Sequence, residues 1–415
     1  MKPLPSITAL LAAVLLLAAC GTTPPPENGN PGDPDPGNPP PSAECRETVT
    51  GNLTIPVTLN NGPEDCDFYF PGGKTYRVTA ALTVEPGTVL RFGRDALLYF
   101  DDLGSIQAVG TEEARIVFTG ELNVQGYWYG LCFSDNRESR LENVDVVWAG
   151  KVWATGSSCQ GGISGAVGDS ETVHIVGTRV FGSHTNGLNA HDLNLGDFAG
   201  NAFGGNSDYG VAIEASQVHR LDVGSDYLGT SLGETNGRPY VHVGGTLSMP
   251  GEMITWQNLN APYIVNDYGY GYSSAVFVDD GTGLVLAPGI RMFFEGSSAL
   301  FVWEGSGLWA MGEEDAPVVF SGVQPTRGSW RGISVSSSTA ELHNVQILWA
   351  GWSSAGRGAG LEFYGVYDSA EKYLDGVHIA GSAGCGLEIE HDDLSLFLAL
   401  DNISFDNNEE NYCGP

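Results

Sequence analysis

The sequence has little positive charge: 18 Lys and Arg residues stand against 50 Asp and Glu residues, giving a formal net charge of −32. Proteins bind nucleic acids mainly through Lys and Arg side chains that displace counterions from phosphates. This charge balance therefore excludes nucleic acid as an expected partner. It also predicts repulsion from anionic lipid headgroups and polyuronate chains, unless cations bridge the two.

Long apolar runs are missing after residue 20, so no membrane-spanning segment is expected there. Residues 1–19 contain Lys2 and an apolar stretch that ends in Leu17-Ala18-Ala19, and Cys20 follows. This order predicts a secretory signal peptide over 1–19. The same residues match the bacterial lipobox, which implies lipid attachment at Cys20. We therefore expect an exported protein whose lipid anchors it in a membrane of the cell envelope, at the outer membrane or cell surface.

Residues 20–43 are dominated by Pro, Gly, Asn and Asp and offer almost nothing to bury. Such a composition predicts a disordered tether, stiffened and extended by its prolines. Long stretches of helix-forming residues are also scarce in the remainder of the chain, from residue 44 to 415. The folded part is therefore expected to be all-β.

Cysteine is present in an even number once Cys20 is assigned to lipid. An exported chain with six further cysteines is expected to form disulfides, and six cysteines allow fifteen pairings. We favour the pairing between cysteines that are near in sequence. The resulting bonds are Cys45–Cys66, Cys132–Cys159 and Cys385–Cys413.

An internal repeat is the most informative feature that the sequence does contain. Residues 84–120 align without a gap to residues 286–322, and the segment 141–150 (LENVDVVWAG) then matches 342–351 (LHNVQILWAG). A repeat of this kind indicates stacked units that share one architecture. We place the two units at 44–245 and 246–415, in one continuous solenoid.

Short runs with period-two alternation recur in both units and are bounded by Gly, Asp, Asn or Pro, which predicts short strands joined by tight turns. Parallel stacking is preferred over an antiparallel sandwich, because asparagine-marked coils at 198–206 and 400–408 repeat in register. We expect about 22 residues per coil. The alternation predicts an inward-facing set in unit one: Val84, Leu90, Phe92, Leu98, Phe100, Ile106, Ala108, Ile116, Phe118, Leu131, Phe133, Val144 and Val146. The matching inward-facing set in unit two is Leu286, Met292, Phe294, Leu300, Val302, Leu308, Ala310, Val318, Phe320, Ile333, Val335, Val345 and Ile347.

The order of these motifs resembles that of bacterial surface proteins with a right-handed parallel β-helix of pectin-lyase-like shape. The motifs are PG-x₄-F, A-x-G-T, IVFTG, W-x-G, L-x-N-V and W-A-G, and the resemblance covers most of residues 50–410. It implies a right-handed parallel β-helix. It does not imply one reaction, since such coils define a shape and function depends on the site they carry.

Enzymes of this fold use clustered acidic residues, with calcium or as acid and base, and lyases add a Lys or Arg. The acidic pairs are Asp101-Asp102, Asp279-Asp280 and Asp392-Asp393. Adjacent residues of a strand point to opposite faces, and Asp is a common turn former, so we expect turns and assign no catalytic residue and no metal site. Loosely bound calcium stays open as an alternative.

Two His-Asp pairs, His191-Asp192 and His391-Asp392, occupy corresponding places in the two units. A His-Asp pair could act as a base or bind a metal. A repeated turn explains the same pattern more simply, and we favour the turn.

Four outward positions of unit two carry large aromatics where unit one has mostly polar residues. The aromatic residues are Phe293, Phe301, Trp303 and Trp309, in place of Arg91, Tyr99, Asp101 and Gln107. Exposed aromatic side chains are typical of surfaces that contact sugars or proteins. Two interpretations stay open: a ligand face, or cover by the Tyr-rich stretch 263–272.

Together these features predict a lipid-anchored envelope protein that contacts a glycan or another surface protein, or forms part of the envelope, without catalysis. The alternative is a polysaccharide lyase or glycoside hydrolase that acts on extracellular carbohydrate.

Overall fold

The computed structural model describes residues 45–63, 65–152, 159–168, 171–267, 274–336, 338–352, 358–365, 372–390, 397–398 and 402–414. They lie in one compact unit, Ala43–Pro415. None of the helices in this part of the chain has the length and apolar character needed to cross a membrane.

Short strands make up nearly all of the regular structure. The strands up to the middle of the chain are β1 (Glu47–Thr48), β2 (Val57–Leu59), β3 (Phe68–Phe70), β4 (Thr75–Val78), β5 (Ala81–Val84), β6 (Val89–Phe92), β7 (Leu97–Phe100), β8 (Ser105–Val109), β9 (Ile116–Gly120), β10 (Gly130–Phe133), β11 (Ser139–Glu142), β12 (Val144–Val147), β13 (Gly161–Gly165), β14 (Val173–Val176), β15 (Arg179–Phe181), β16 (Asn186–Ala190), β17 (Leu195–Ala199), β18 (Ala202–Gly204) and β19 (Tyr209–Glu214). Two 3₁₀ helices follow, at Ala215–Arg220 and Thr230–Leu232.

The later strands are β20 (Arg238–Ser248), β21 (Met253–Trp256), β22 (Tyr263–Val265), β23 (Ala275–Asp279), β24 (Gly283–Leu286), β25 (Arg291–Phe294), β26 (Ala299–Val302), β27 (Gly307–Met311), β28 (Val318–Gly322), β29 (Gly332–Ser336), β30 (Thr339–His343), β31 (Val345–Leu348), β32 (Ala359–Tyr364), β33 (Lys372–Asp375), β34 (Val377–Ala380), β35 (Cys385–Ile389), β36 (Phe397–Leu398), β37 (Ile403–Asp406) and β38 (Glu410–Cys413).

These strands stack into three parallel sheets, each taking one strand from each coil. In the first half, sheet A is β1-β3-β6-β9-β12-β15-β18, sheet B is β4-β7-β10-β13-β16-β19-β20 and sheet C is β2-β5-β8-β11-β14-β17. In the second half, sheet A′ is β22-β25-β28-β31-β34-β37, sheet B′ is β23-β26-β29-β32-β35-β38 and sheet C′ is β21-β24-β27-β30-β33-β36. The protein is therefore an all-β parallel β-helix, as the sequence predicts.

The eleven-residue strand β20 joins the two halves. It pairs with β19 of sheet B, then with β22 through Val241 and His242, and with β23 through Gly245–Ser248. Sheet B therefore divides at β20 into sheets A′ and B′. The boundary that we place between residues 245 and 246 falls inside this strand, and the division of the chain into two units stays a prediction.

The core runs between the three sheets, and the inward-facing set comes from period-two alternation. Every residue that the alternation places inside is at most 2% exposed. Their aromatic rings also stack from coil to coil, as when Phe92 packs on Phe118 in one half and Phe294 on Phe320 in the other. The prediction of the core is confirmed.

The coils are mostly longer than the sequence pattern predicts, which is about 22 residues each. Leu90 pairs with Phe118, and Phe118 pairs with Val146, so each of these coils is several residues longer than expected. The added residues lie largely in the loops between sheets A and B, such as 121–129 between β9 and β10. Such loops leave the register of the three sheets intact, and the loop 121–129 returns Trp128 to the core, where it is fully buried.

Equivalent positions of the two halves have equivalent structures. Trp128 is fully buried, stacks on Phe92 at 4.1 Å between ring centroids, and donates from Nε1 to the Val147 carbonyl. Trp330 is also fully buried, stacks on Phe294 at 4.1 Å, and donates to the Leu348 carbonyl. The glycines that follow, Gly130 and Gly332, have φ of 112° and 119° and lie against carbonyls of the next coil. A side chain at either glycine would be strained and would clash.

Asparagines hold the turns as expected. Asn206 accepts a hydrogen bond from the Ser183 backbone N–H at 3.0 Å. Asn408 accepts one from the Ser382 backbone N–H at 2.8 Å. Each side chain satisfies a backbone donor of the preceding coil, where no strand partner is available.

Candidate functional site

The three disulfides form as predicted, linking Cys45 to Cys66, Cys132 to Cys159 and Cys385 to Cys413. The second bond lies on the outer face of sheet B and joins Cys132 of β10 to Cys159, which precedes β13. There the disulfide packs with Leu97, Tyr99 and Tyr129 in a small apolar cluster separate from the main core. In the first half, this part of the outer face is therefore covered by the protein itself.

The same face of sheet B′ carries stacked aromatic rings. Ser334 takes the place of Cys132, and Phe301 takes the place of Tyr99. Phe301 stacks on Phe277 of the preceding coil, with ring centroids 5.2 Å apart, and Phe277 lies 6.3 Å from Trp303. Trp303 is 44% exposed. We call Phe277, Phe301 and Trp303 the aromatic face.

Polar groups border the aromatic face. The Arg331 guanidinium lies over the Phe301 ring, 5.1 Å from its centroid, which is within the range of a cation–π contact. In the next coils Ser334 pairs in register with Glu362, and its hydroxyl donates to the Glu362 carboxylate at 2.7 Å. The face therefore offers flat apolar surface beside both hydrogen-bond donors and acceptors.

Phe293 lies elsewhere. It is on β25 in sheet A′, in contact with Tyr240 at 5.6 Å between ring centroids, and belongs to an outer apolar cluster with Tyr209 and Ile264. Arg291 covers one side of the Phe293 ring, 5.3 Å from the centroid. Phe293 therefore serves packing at the junction of the two halves.

Trp309 lies on the third sheet, C′. Its indole rests on the backbone of Gly307, where an added Cβ would come within 2.3 Å of the ring, so a side chain at that position would displace the Trp309 ring. In register with Trp309 on the following strands are Glu341 and then Tyr373. His343 contacts both, at 2.9 Å from the Glu341 carboxylate and 4.9 Å from the Tyr373 ring.

The corresponding column of sheet C in the first half is charged. Gln107 pairs in register with Arg140, and Arg140 with His174. Arg140 forms ion pairs with Glu142 and Asp197, at 2.7 and 3.0 Å. Charged side chains of sheet C thus pair with one another in the first half, whereas the matching column of sheet C′ carries Trp309 and Tyr373 on either side of Glu341.

The four aromatic residues that the sequence brings into one ligand face are thus divided among three sheets. Only Phe301 and Trp303 share a face, and their role in ligand contact stays a prediction. Of the stretch 263–272, Tyr263 points into the core and is 1% exposed. Residues 268–272 lie outside the described part of the chain, so cover by this stretch also stays a prediction.

The first two acidic pairs lie in turns. Asp101 is buried in an ion pair with Arg77, and burial raises its pKa although Arg77 opposes this. Asp102 and Asp280 have φ of 47° and 56°, in the left-handed region where Asp is tolerated in turns. Asp392-Asp393 and the pair His391-Asp392 lie outside the described residues, as does Cys20.

One group of three metal-binding residue types lies close together among the described residues, namely Cys385, Cys413 and Glu410. Its two cysteines are bonded to each other. Disulfide sulfur is not a thiolate and does not bind a metal as a thiolate does. This group therefore does not form a metal centre.

His191 and Asp192 lie in the turn that follows β16, as expected, and the His191 side chain also enters a buried network. This side chain is fully buried and lies 3.3 Å from the Glu214 carboxylate and 3.2 Å from His242. Burial lowers the pKa of His242 to about 3, and the neighbouring His191 adds to this effect. His191 and Glu214 also line a cleft of about 280 Å³, together with Asp192.

Sequence reasoning missed Phe277, Tyr373 and His242. Phe277 could have been found by carrying the alternation one coil back from Phe301, because both residues face outward at the same register. The contact between His191 and His242 joins residues 51 positions apart, and no spacing rule in the sequence predicts it.

Compared with protein-family models, with curated proteins and with solved structures, the chain matches none.

Proposed function

We propose that this protein is a lipid-anchored, non-catalytic component of the cell envelope whose β-helix presents the aromatic face to a glycan or a surface protein. One observation carries the proposal. Trp303, 44% exposed, contacts the stack of Phe277 and Phe301 on the face where the Cys132–Cys159 disulfide packs in the first half. Exposed aromatic rings of this kind are typical anchors of binding surfaces.

The charge of the protein narrows the ligand class. With a net charge of −32, the chain repels polyanions except through cations. A neutral glycan or a protein surface with positive charge fits better, because Glu362 offers acceptors beside the rings for hydroxyl or ammonium groups. Among the described residues, no convergent set of catalytic side chains supports the lyase or hydrolase alternative.

The anchor is proposed from sequence alone. Leu17-Ala18-Ala19-Cys20 fits a lipidation signal, and the Pro-rich residues 21–43 would act as a spacer between the membrane and the β-helix. Replacing Cys20 by Ser should release the protein from the membrane fraction of expressing cells. Membrane retention of the Cys20→Ser variant would refute the anchor without bearing on the aromatic face.

The aromatic face can be tested by binding. The purified protein, its Phe301→Ala/Trp303→Ala variant and a Trp352→Ala control are titrated with neutral glycans, uronate-containing glycans and envelope proteins. Trp352 is 38% exposed and lies outside the aromatic face, so its replacement controls for the loss of any exposed tryptophan. We expect the double variant to lose at least tenfold in affinity, since anchor residues contribute about 2 kcal/mol or more each.

Equal binding by the native protein and the double variant would refute the aromatic face as the contact site. The same incubations test the alternative function. New reducing ends or the absorbance of unsaturated uronates would show hydrolase or lyase activity and would overturn the non-catalytic proposal.

A further inference from the structure

A chain of three contacts crosses the junction between the two halves. The Nδ1 atom of His191 lies 3.3 Å from the Glu214 carboxylate, and its Nε2 atom lies 3.2 Å from Nδ1 of His242. The Nε2 atom of His242 lies 3.4 Å from the backbone carbonyl of Asn266. Both imidazole rings are out of contact with solvent, since the His191 side chain and the whole of His242 are 0% exposed.

Counting hydrogens shows what these three contacts require if all of them are hydrogen bonds. A carboxylate and a carbonyl only accept hydrogen bonds, so His191 must carry a hydrogen on Nδ1 and His242 must carry one on Nε2. The contact between the rings needs a third hydrogen, on one of the two facing nitrogens. Two neutral imidazoles supply only two, so all three contacts can be hydrogen bonds at the same time only with one additional proton.

We place the additional proton on His191, the ring that contacts a carboxylate. Glu214 lies directly beside His191, and an adjacent carboxylate favours the charged form of an imidazole. His242 is the poorer place, because burial and the neighbouring His191 together lower its pKa to about 3. In this arrangement the charges of Glu214 and His191 neutralise each other inside the protein.

Other ionisable groups approach the chain from the elements packed around it. They are Asp192 beside His191, Tyr209 on β19, Arg238 on β20, Asp208 next to Arg238, Asp267 next to Asn266, and Glu295 after β25. Arg238 adds positive charge near His242, which favours the proton on His191 still more. Glu295 accepts from the Asn266 amide at 3.1 Å and so extends the network into the second half.

These three contacts connect strands of the first half to strands of the second half. Glu214 ends β19, and its second oxygen accepts the Thr246 backbone N–H of β20 at 2.9 Å. His242 is on β20, the strand at which sheet B divides, and Asn266 directly follows β22. Loss of one contact in the chain therefore loosens the connection between the first and second halves.

We propose that Glu214, His191, His242 and Asn266 form a protonation-dependent latch between the two halves of the β-helix. With the additional proton all three contacts form at once. When rising pH removes it, two lone pairs face each other at one contact and that contact opens. Acidification across the range where histidine titrates then tightens the junction, and alkalinisation loosens it.

The test uses the full-length protein labelled with ¹⁵N-histidine, followed by NMR from about pH 5 to about pH 9, the range that spans histidine titration. We expect one ring with both nitrogens protonated at the acid end, assigned to His191, and a second neutral ring with its hydrogen on Nε2, assigned to His242. Hydrogen exchange of the Thr246 amide should accelerate with the same midpoint as the loss of the His191 proton.

The Glu214→Gln variant removes the adjacent charge but keeps an acceptor. It should lower the proton affinity of the chain about tenfold or more, the usual effect of losing a neighbouring opposite charge. The control is Glu341→Gln, which changes the partially exposed Glu341–His343 pair and should leave His191, His242 and Thr246 unchanged.

Two outcomes would overturn the latch. One is a native spectrum in which neither ring is doubly protonated at any pH where the protein is folded. The other is a Thr246 amide whose exchange does not follow the histidine titration. Both are read on the native protein, so they decide the matter even where Glu214→Gln does not fold.

Discussion

Replacing Trp330 by Ala tests whether equivalent residues of the two halves contribute equally to the free energy of unfolding. The indole of Trp330 is fully buried, stacks on Phe294 at 4.1 Å, and donates to the Leu348 carbonyl at 2.8 Å. Removing a buried tryptophan costs about 3–5 kcal/mol, and the carbonyl left without its donor adds about 1 kcal/mol. We expect the free energy of unfolding to fall by about 4 kcal/mol or more.

The matched variant is Trp128→Ala in the first half, where the stack on Phe92 also measures 4.1 Å. The two losses should agree within about 1 kcal/mol if the coils are equivalent. The control is Trp303→Ala, whose side chain is 44% exposed and whose loss should stay within about 1 kcal/mol.

Urea denaturation followed by circular dichroism measures these changes, and hydrogen exchange locates them. In a solenoid each coil contacts its neighbours alone, so Trp330→Ala should loosen amides of the second half more than those of the first. A loss below about 2 kcal/mol for Trp330→Ala, or uniform loosening of both halves, would refute this reasoning.

The covalent and ionisable groups give three further predictions. Replacing Cys132 and Cys159 by Ser opens a 27-residue separation and should cost about 3.5 kcal/mol by loop entropy; an unchanged urea midpoint would contradict this. Burial opposes the charge of Asp226, but hydrogen bonds from Ser231 and its neighbours outweigh this effect and lower the pKa of Asp226 to about 2. The contribution of the ionised carboxylate to the free energy of unfolding is therefore complete above about pH 4 and is lost as the pH falls towards 2. Because the group is only partly buried, Asp226→Asn should remove only about 1 kcal/mol at neutral pH, as chemical denaturation of both proteins would reveal. The pKa of His242 is lowered to about 3, so the contribution of neutral His242 to the free energy of unfolding is complete above about pH 6.5 and is lost as the pH falls towards 3. His242→Gln should weaken the dependence of the free energy of unfolding on pH in this range. An unchanged pH dependence would contradict this prediction.

The fold could be predicted from the sequence because its signals are local and repeated. Alternation in a strand such as β6 predicts that Leu90 and Phe92 point into the core, and this prediction does not depend on the rest of the chain. The same pattern in β25 predicts the same for Met292 and Phe294. The disulfide between Cys132 and Cys159 was predictable for a related reason, since both cysteines are missing from the second half together.

The site was less predictable because it depends on which sheet each outward residue joins. Phe293, Phe301 and Trp309 all face outward by alternation, yet they lie on sheets A′, B′ and C′. The sequence pattern predicts whether a side chain points inward or outward. It does not predict the turns between strands, which decide the sheet that each strand joins. Alternation also does not reveal contacts between a turn and a distant strand, such as the contact of His191 with His242 on β20.

Oxidative cross-linking of cysteine pairs tests the parallel register most directly. Thr83 pairs with Gln107, and at the matching position of the second half Val285 pairs with Trp309. Cysteines at either pair would have Cα atoms about 4.8 Å apart, within the range that a disulfide accepts.

The control pairs shift one partner by two residues, to Val109 and Met311, which moves the Cα atoms beyond about 7 Å and forbids the bond. We predict rapid cross-linking of both in-register pairs, in both halves, and none of the shifted pairs. Cross-linking of the shifted pairs, or of one in-register pair without the other, would contradict the repeated parallel β-helix.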